Sequence, residues 1–112
     1  MLIIRNHEIT PTETPGSNST SGLATSSRGA QEVSVIRQHE TPGGHNPLHH
    51  HDREEVMVML AGTVTVTVDA VQETLLPGDT LIVPAQAFHQ IANTGHEPAE
   101  WLIIAPHGRR FF

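Results

Sequence analysis

From Glu32 onward the chain follows a two-residue rhythm, with short runs of valine, isoleucine and threonine closed by clusters of turn residues. Glu32-Val-Ser-Val-Ile-Arg37 alternates and Thr41-Pro-Gly-Gly44 turns the chain. Glu55 to Leu60 runs into Ala61-Gly62, and Thr63 to Val68 alternates threonine and valine strictly. Asp69-Ala70 is a turn, Val71 to Leu76 returns, and Pro77-Gly78 turns again. Leu81 to Val83, Phe88 to Ala92 and Glu100 to Ala105 complete the series, with Asn93-Thr-Gly95 as one more turn. A period of two sends successive side chains to opposite faces, so each run can bury one face and wet the other. No window of ten or more residues keeps a helical period. Short strands at regular spacing with turns between them predict an all-β, antiparallel sandwich or barrel.

The remaining segments are read from what they can bury. Met1-Leu-Ile-Ile-Arg5 is apolar but too shallow for a signal peptide, so a short strand is expected and the cytoplasm is the default location. Thr10 to Gly22 reads TPTETPGSNSTSG, with almost nothing apolar to offset its ordering entropy, and predicts a mobile surface loop. Its Asn18-Ser-Thr20 sequon has meaning only in a secreted protein. With 112 residues, one domain spanning 1–112 is expected, its mobile loop at 10–22.

Composition removes several classes of function. There is no cysteine, which excludes disulfides, thiol nucleophiles and Cys-ligated zinc. All six basic residues are arginine, so Schiff-base lysines and the phosphate-cradling P-loop are excluded too. A net charge of −6 with no basic run lacks the footprint of a nucleic-acid binder. The apolar runs fall far short of the ~20 residues of a membrane helix.

Histidine is the residue in excess, nine in 112. The triple His49-His50-His51 is too short and too internal for a tag, and it runs directly towards a strand. On extended backbone His49 and His51 share a face while His50 points away. If extension continues, Glu55 joins that face, with Met57 and Met59 deeper along it. Two imidazoles and a carboxylate converging inside a barrel suit a first-row divalent metal with open positions, and His89 could add a fourth ligand. No HExxH occurs, which excludes a zinc-protease helix. Taken singly, His45, His50, His96 and His107 read more simply as hydrogen-bonded or surface residues.

These residues resemble a known family. Gly43-x5-His49-x-His51-x3-Glu55-x6-Gly62 matches the first cupin motif at every defined position. Gly78-x5-Pro84-x-Gln86-x2-His89-x3-Asn93 matches the second, departing only at Gln86 where that pattern has glycine. The two motifs span residues 43–93, under half of the chain. The resemblance implies a double-stranded β-helix, or jelly-roll barrel, holding one divalent metal on His49, His51, Glu55 and His89. It also implies a homodimer formed through outer strands. The Gln86 departure touches the turn before His89, where a Cβ tolerates positive φ poorly.

A thiolate-free site leaves Mn, Fe, Ni, Co, Cu and Zn all open. Met57, Met59, one register of Val64, Val66 and Val68, and Ile91 would wall the metal with apolar surface, although any small barrel core would contain the same residues. Gln38, His39, His45, Gln86 and Trp101 are candidates for the pocket mouth. Such surroundings favour a small, fairly apolar or aromatic ligand. Two functions follow: a metalloenzyme of dioxygenase type acting on a small oxygenated organic substrate, or a non-catalytic small-molecule binder or sensor. A metal-dependent isomerase or lyase is a further alternative. The chain has no lysine, tyrosine or cysteine to serve as acid or base, which shifts weight towards chemistry by the metal alone, or none.

Overall fold

The structure is a computed structural model and describes residues 1–108. Nine strands appear among them: β1 (Thr12–Thr14), β2 (Asn18–Ala24), β3 (Val33–Glu40), β4 (Glu55–Ala61), β5 (Val64–Val68), β6 (Val71–Leu75), β7 (Thr80–Val83), β8 (His89–Ala92) and β9 (Ala99–Pro106). Two short 3₁₀ turns, Asn6–Glu8 and Ser26–Arg28, are the only helical elements of the described residues. No helix is long and apolar enough to cross a membrane.

The strands form two antiparallel sheets, ordered β1-β2-β3-β9-β4-β7 and β6-β5-β8. From β4 onward the chain passes repeatedly between them: β4 to β5, β6 to β7, β7 to β8 and β8 to β9 each change sheet. That winding is the jelly roll, an all-β antiparallel architecture as the alternation predicts.

Side-chain periodicity explains the core between the sheets. In β5, Val64 and Val66 are 0% and 2% exposed while the alternating Thr65 and Thr67 are only half-buried. Met57 and Met59 of β4, Leu75 of β6, Ile91 of β8 and Ala99 and Trp101 of β9 join them in one cluster. The β5–β6 hairpin closes with Val68 opposite Val71, and the intervening Asp69 and Ala70 have φ of 46° and 68°. Two left-handed residues give the turn whose twist matches that of paired strands. Gly62 also has positive φ, 74°, and a Cβ there would strike the Pro98 carbonyl where the chain crosses between sheets.

Two expectations fail in the N-terminal part. Met1 to Arg5 forms no strand; Met1, Leu2 and Ile3 stay exposed, because apolarity without a ladder partner does not make a strand. The segment 10–22 is not a free loop but a hairpin, β1 pairing with β2 and β2 with β3. Polar contacts order it where apolar burial is missing. Asn18 is 2% exposed, and its Nδ2 donates to the carbonyls of Pro15 and His45, each at 2.9 Å. The Ser17 carbonyl accepts from Thr41 N–H at 3.2 Å, and that of Gly16 from His45 N–H at 2.9 Å. A glycan on Asn18 is incompatible with this burial.

Candidate metal centre

Three separate stretches bring the site together. His49 and His89 face each other as an isolated antiparallel pair, exchanging both backbone hydrogen bonds: His49 N–H to His89 O at 3.1 Å and the reverse at 2.8 Å. Directly opposed residues send their side chains to the same face, so the two imidazoles meet. The His51 carbonyl accepts the Gln86 N–H at 2.7 Å, which ties the triple-histidine segment to the turn before β8. Gln86 makes this contact at φ 69°, the left-handed conformation that glycine would adopt more easily.

Continuous extension from His51 to Glu55 is not observed. The chain bends at Asp52 and Arg53, and Glu55 enters the site as the first residue of β4, opposite Val83 of β7. The carboxylate nevertheless lies 3.1 Å from His51 Nε2 through Oε2 and 3.9 Å from His89 Nε2 through Oε1. The rings of His49, His51 and His89 lie 4.2 to 5.1 Å apart by centroid. Their donor atoms all fall within 4.8 Å of one another. Nitrogens about 2.1 Å from one ion sit about 3 Å apart when adjacent, so modest closure suffices.

The protonation pattern fits a cation. His49 Nδ1 donates to the Pro47 carbonyl at 2.7 Å, and His89 Nδ1 to the Ala87 carbonyl at 3.0 Å. A carbonyl can only accept, so each Nδ1 carries the proton and each Nε2 keeps its lone pair. His89 Nε2 is buried and makes no hydrogen bond. Burial holds the His49 pKa below its ordinary 6.5; the Pro47 carbonyl pulls it up, the neighbouring imidazoles push it down further, and Glu55 raises it. A neutral imidazole is the form that ligates metal. His50 points away and its ring meets Phe88 at 4.4 Å.

Beside the cluster lies a cavity of about 340 Å³. Ile36, Ile91, Trp101 and Ile103 supply its apolar wall, and Thr14, Pro15, Asn18, Thr20, Gln38, Asn46 and Pro47 complete it next to His49, His51 and Glu55. Much of the polar lining is already engaged. Asn46 Oδ1 accepts the Ile91 N–H at 2.6 Å, and Gln38 Oε1 accepts the Thr20 hydroxyl at 2.9 Å, which leaves the Gln38 NH₂ as a donor. The Trp101 indole nitrogen makes no hydrogen bond.

Among the expected wall residues, Gln38, Ile91 and Trp101 line this cavity and five others do not. His39 lies on the opposite face of β3, in a larger polar hollow of about 740 Å³ with Arg37 and Glu100, because its parity is that of Arg37 and not of Gln38. His45 is exposed and contributes backbone, its carbonyl accepting from Asn18. Met57 and Met59 share the Glu55 face of β4 but are consumed by the core at 1% exposure. Gln86 is exposed and acts through its N–H.

Sequence reasoning missed Ile36 and Ile103, although each shares strand parity with a residue it named, Gln38 and Trp101. The contribution of β1 and β2 carried no signal, since their lining residues are polar.

Comparison with known proteins places this site in context. The sequence profile of the family described as "Cupin domain" matches residues 36–105. "Auxin-binding protein 1" of Arabidopsis thaliana is 32% identical over 85 residues, 68% of this chain and 43% of that protein. The chain spans 34 to 46% of the length of the curated relatives it matches. The polyketide cyclase RemF of Streptomyces resistomycificus superposes with a TM-score of 0.86 at 20% identity, over 97% of this chain and 81% of that one. Oxalate decarboxylase of Lactobacillus farciminis superposes with a TM-score of 0.78 at 26% identity, over 88% of this chain and 31% of that one.

Proposed function

We propose, from the premise that this chain belongs to the cupin domain family, that it holds one divalent first-row metal and uses it to oxidise a small, largely apolar organic molecule with dioxygen. His49, His51, His89 and Glu55 are the proposed ligands. The observation that carries the reading is a largely buried set of imidazoles opening on a cavity of about 340 Å³ whose only ionisable side chains among the described residues are His49, His51 and Glu55.

When bound, such a metal supplies Lewis acidity and, for a redox-active ion, a means of engaging dioxygen. The protein's own residues do the rest. The Pro47 and Ala87 carbonyls orient His49 and His89 with their lone pairs available. Glu55 sits 3.1 Å from His51 Nε2 and neutralises positive charge in the site. Ile36, Ile91, Trp101 and Ile103 exclude water around the ligand body, which strengthens every electrostatic contact within. The Gln38 NH₂ offers a hydrogen bond to an acceptor oxygen. Among the described residues no arginine lines the cavity, and the chain has no lysine, so these residues offer a phosphorylated ligand or a second remote carboxylate no counter-charge.

A second reading, binding without turnover, is favoured by the absence, among the described lining residues, of an acid or base apart from the cluster, and by the similarity to a protein named for auxin binding. The same absence weighs against an isomerase or lyase that moves protons away from the metal. A homodimer through outer strands, working in the cytoplasm, completes the proposal.

Elemental analysis of untagged protein is expected to return about one first-row metal per chain, and His49→Ala with His51→Ala to abolish it. Failure to take up Mn, Fe, Ni or Zn would overturn both readings. Iron- or manganese-loaded protein is then given diketones, catechols and flavonols. Oxygen uptake supports the enzyme; binding without uptake supports the second reading.

A further inference from the structure

Glu40, the last residue of β3, is fully buried at 0% exposure, and neither of its carboxyl oxygens has a hydrogen-bond partner. Its cross-strand neighbours are Asn18 on β2 and Ala99 on β9. Gly44 closes over it, so near that a Cβ on Gly44 would lie 2.7 Å from Glu40 Cγ. Asn93 ties the same region together: its Nδ2 donates to the Glu40 and Glu97 carbonyls, its N–H to Gly44 O, and its carbonyl accepts from Gly43 N–H, all within 3.0 Å.

The neighbours facing this carboxyl are therefore Asn18, Ala99, Gly44 and Asn93, all uncharged. His39 and Glu100 lie on the opposite face, lining the polar hollow outside the sheet, and Glu97 is exposed. Among the described residues no cation is present to compensate an ionised Glu40, and an unpaired buried carboxylate is strongly disfavoured.

The segment that Glu40 and Asn93 anchor runs from Thr41 to Leu48, contributes Asn46 and Pro47 to the cavity wall, and delivers His49. We infer that Glu40 is a proton-controlled pin: as a neutral acid it lets this segment close over the barrel, and on losing its proton it loosens the segment and opens the cavity. The consequence for ligand entry rests on the function proposed above; the opening itself does not.

Desolvation raises the Glu40 pKa from 4.5 to about 7, against a smaller pull from the Asn93 backbone amide, which is already engaged by Gly44 O at 2.9 Å. Below pH 4.5 folded and unfolded chains both carry the proton, and no difference arises. As pH rises from 4.5 to about 7 the unfolded chain ionises first, so the native state loses stability; above about 7 the loss is complete.

The test uses full-length, metal-free protein without ligand, so its outcome is separable from that of the metal proposal. Relative to Glu40→Gln, which mimics the neutral acid, the wild-type unfolding equilibrium constant should rise about 300-fold across this range. Exchange protection of the Gly43, Gly44 and His45 amides, corrected for intrinsic rate, should fall near pH 7 in the wild type and stay level in the variant. Carbon-13 detection of the Glu40 carboxyl in wild type provides an independent reading should the variant not fold. Titration near 7 with local loss of protection upholds the inference. Titration below 5, parallel pH profiles, or unchanged protection at 43–45 overturns it.

Discussion

Gln86 occupies a left-handed backbone position, φ 69°, yet its side chain is exposed and its contribution is an N–H to His51 at 2.7 Å. A Cβ in this conformation costs about 1 kcal/mol, partly offset by the greater freedom glycine has when unfolded. Gln86→Gly is therefore expected to raise stability by up to about 0.5 kcal/mol in denaturant melts and to leave metal content unchanged. A destabilised variant would mean that the glutamine side chain has a role of its own. The departure at this position is visible in the sequence, and so is the spacing of His49, His51 and His89. The imidazole tautomers are not, because they depend on where the Pro47 and Ala87 carbonyls turn.

Among the elements, the β1–β2 hairpin departs furthest from its composition. Its inward residues are Thr14, Asn18 and Thr20; Asn18 Nδ2 donates to the Pro15 and His45 carbonyls and the Thr20 hydroxyl to Gln38 Oε1, bonds that hydropathy does not register, while Thr14 Oγ1 and Asn18 Oδ1 make none. Asn18→Ala removes two hydrogen bonds and strands two carbonyls, a loss of about 1–3 kcal/mol. Limited proteolysis should spare residues 10–22 in wild type and cut there first in the variant; equal resistance would show that the strand ladder alone holds the hairpin. β4, β5 and β9 were legible because one face of each packs apolar groups into the core, and β3 because its residues alternate. The path between His51 and Glu55 was less so: the bend at Asp52 and Arg53 breaks strand parity, and Glu55 meets the histidines because β4 pairs with β7 and β9.

For the whole molecule, metal and proton compete for one set of lone pairs. A metal that binds only the folded chain stabilises it by mass action, about 2.7 kcal/mol at a hundredfold excess over its Kd. Chelation should accordingly lower the thermal midpoint, and an unchanged midpoint would count against a folded-state site. In metal-free protein His49, held below its ordinary 6.5, favours the neutral state, so its contribution to stability falls as pH drops through 6.5 towards the lowered value. That slope opposes the one expected of Glu40, and comparison of His49→Ala with Glu40→Gln should separate them.

Alternation is a local property of neighbouring side chains, and from it follow the all-β class, most of the strands and, through spacing, the histidines that meet. Partners distant along the chain settle the rest. They turn His39 outward and Gln38 inward, order a polar hairpin, and seal Glu40 where no water reaches it. Burial and backbone pairing arise only when strands far apart in the chain come together, and no local pattern encodes them.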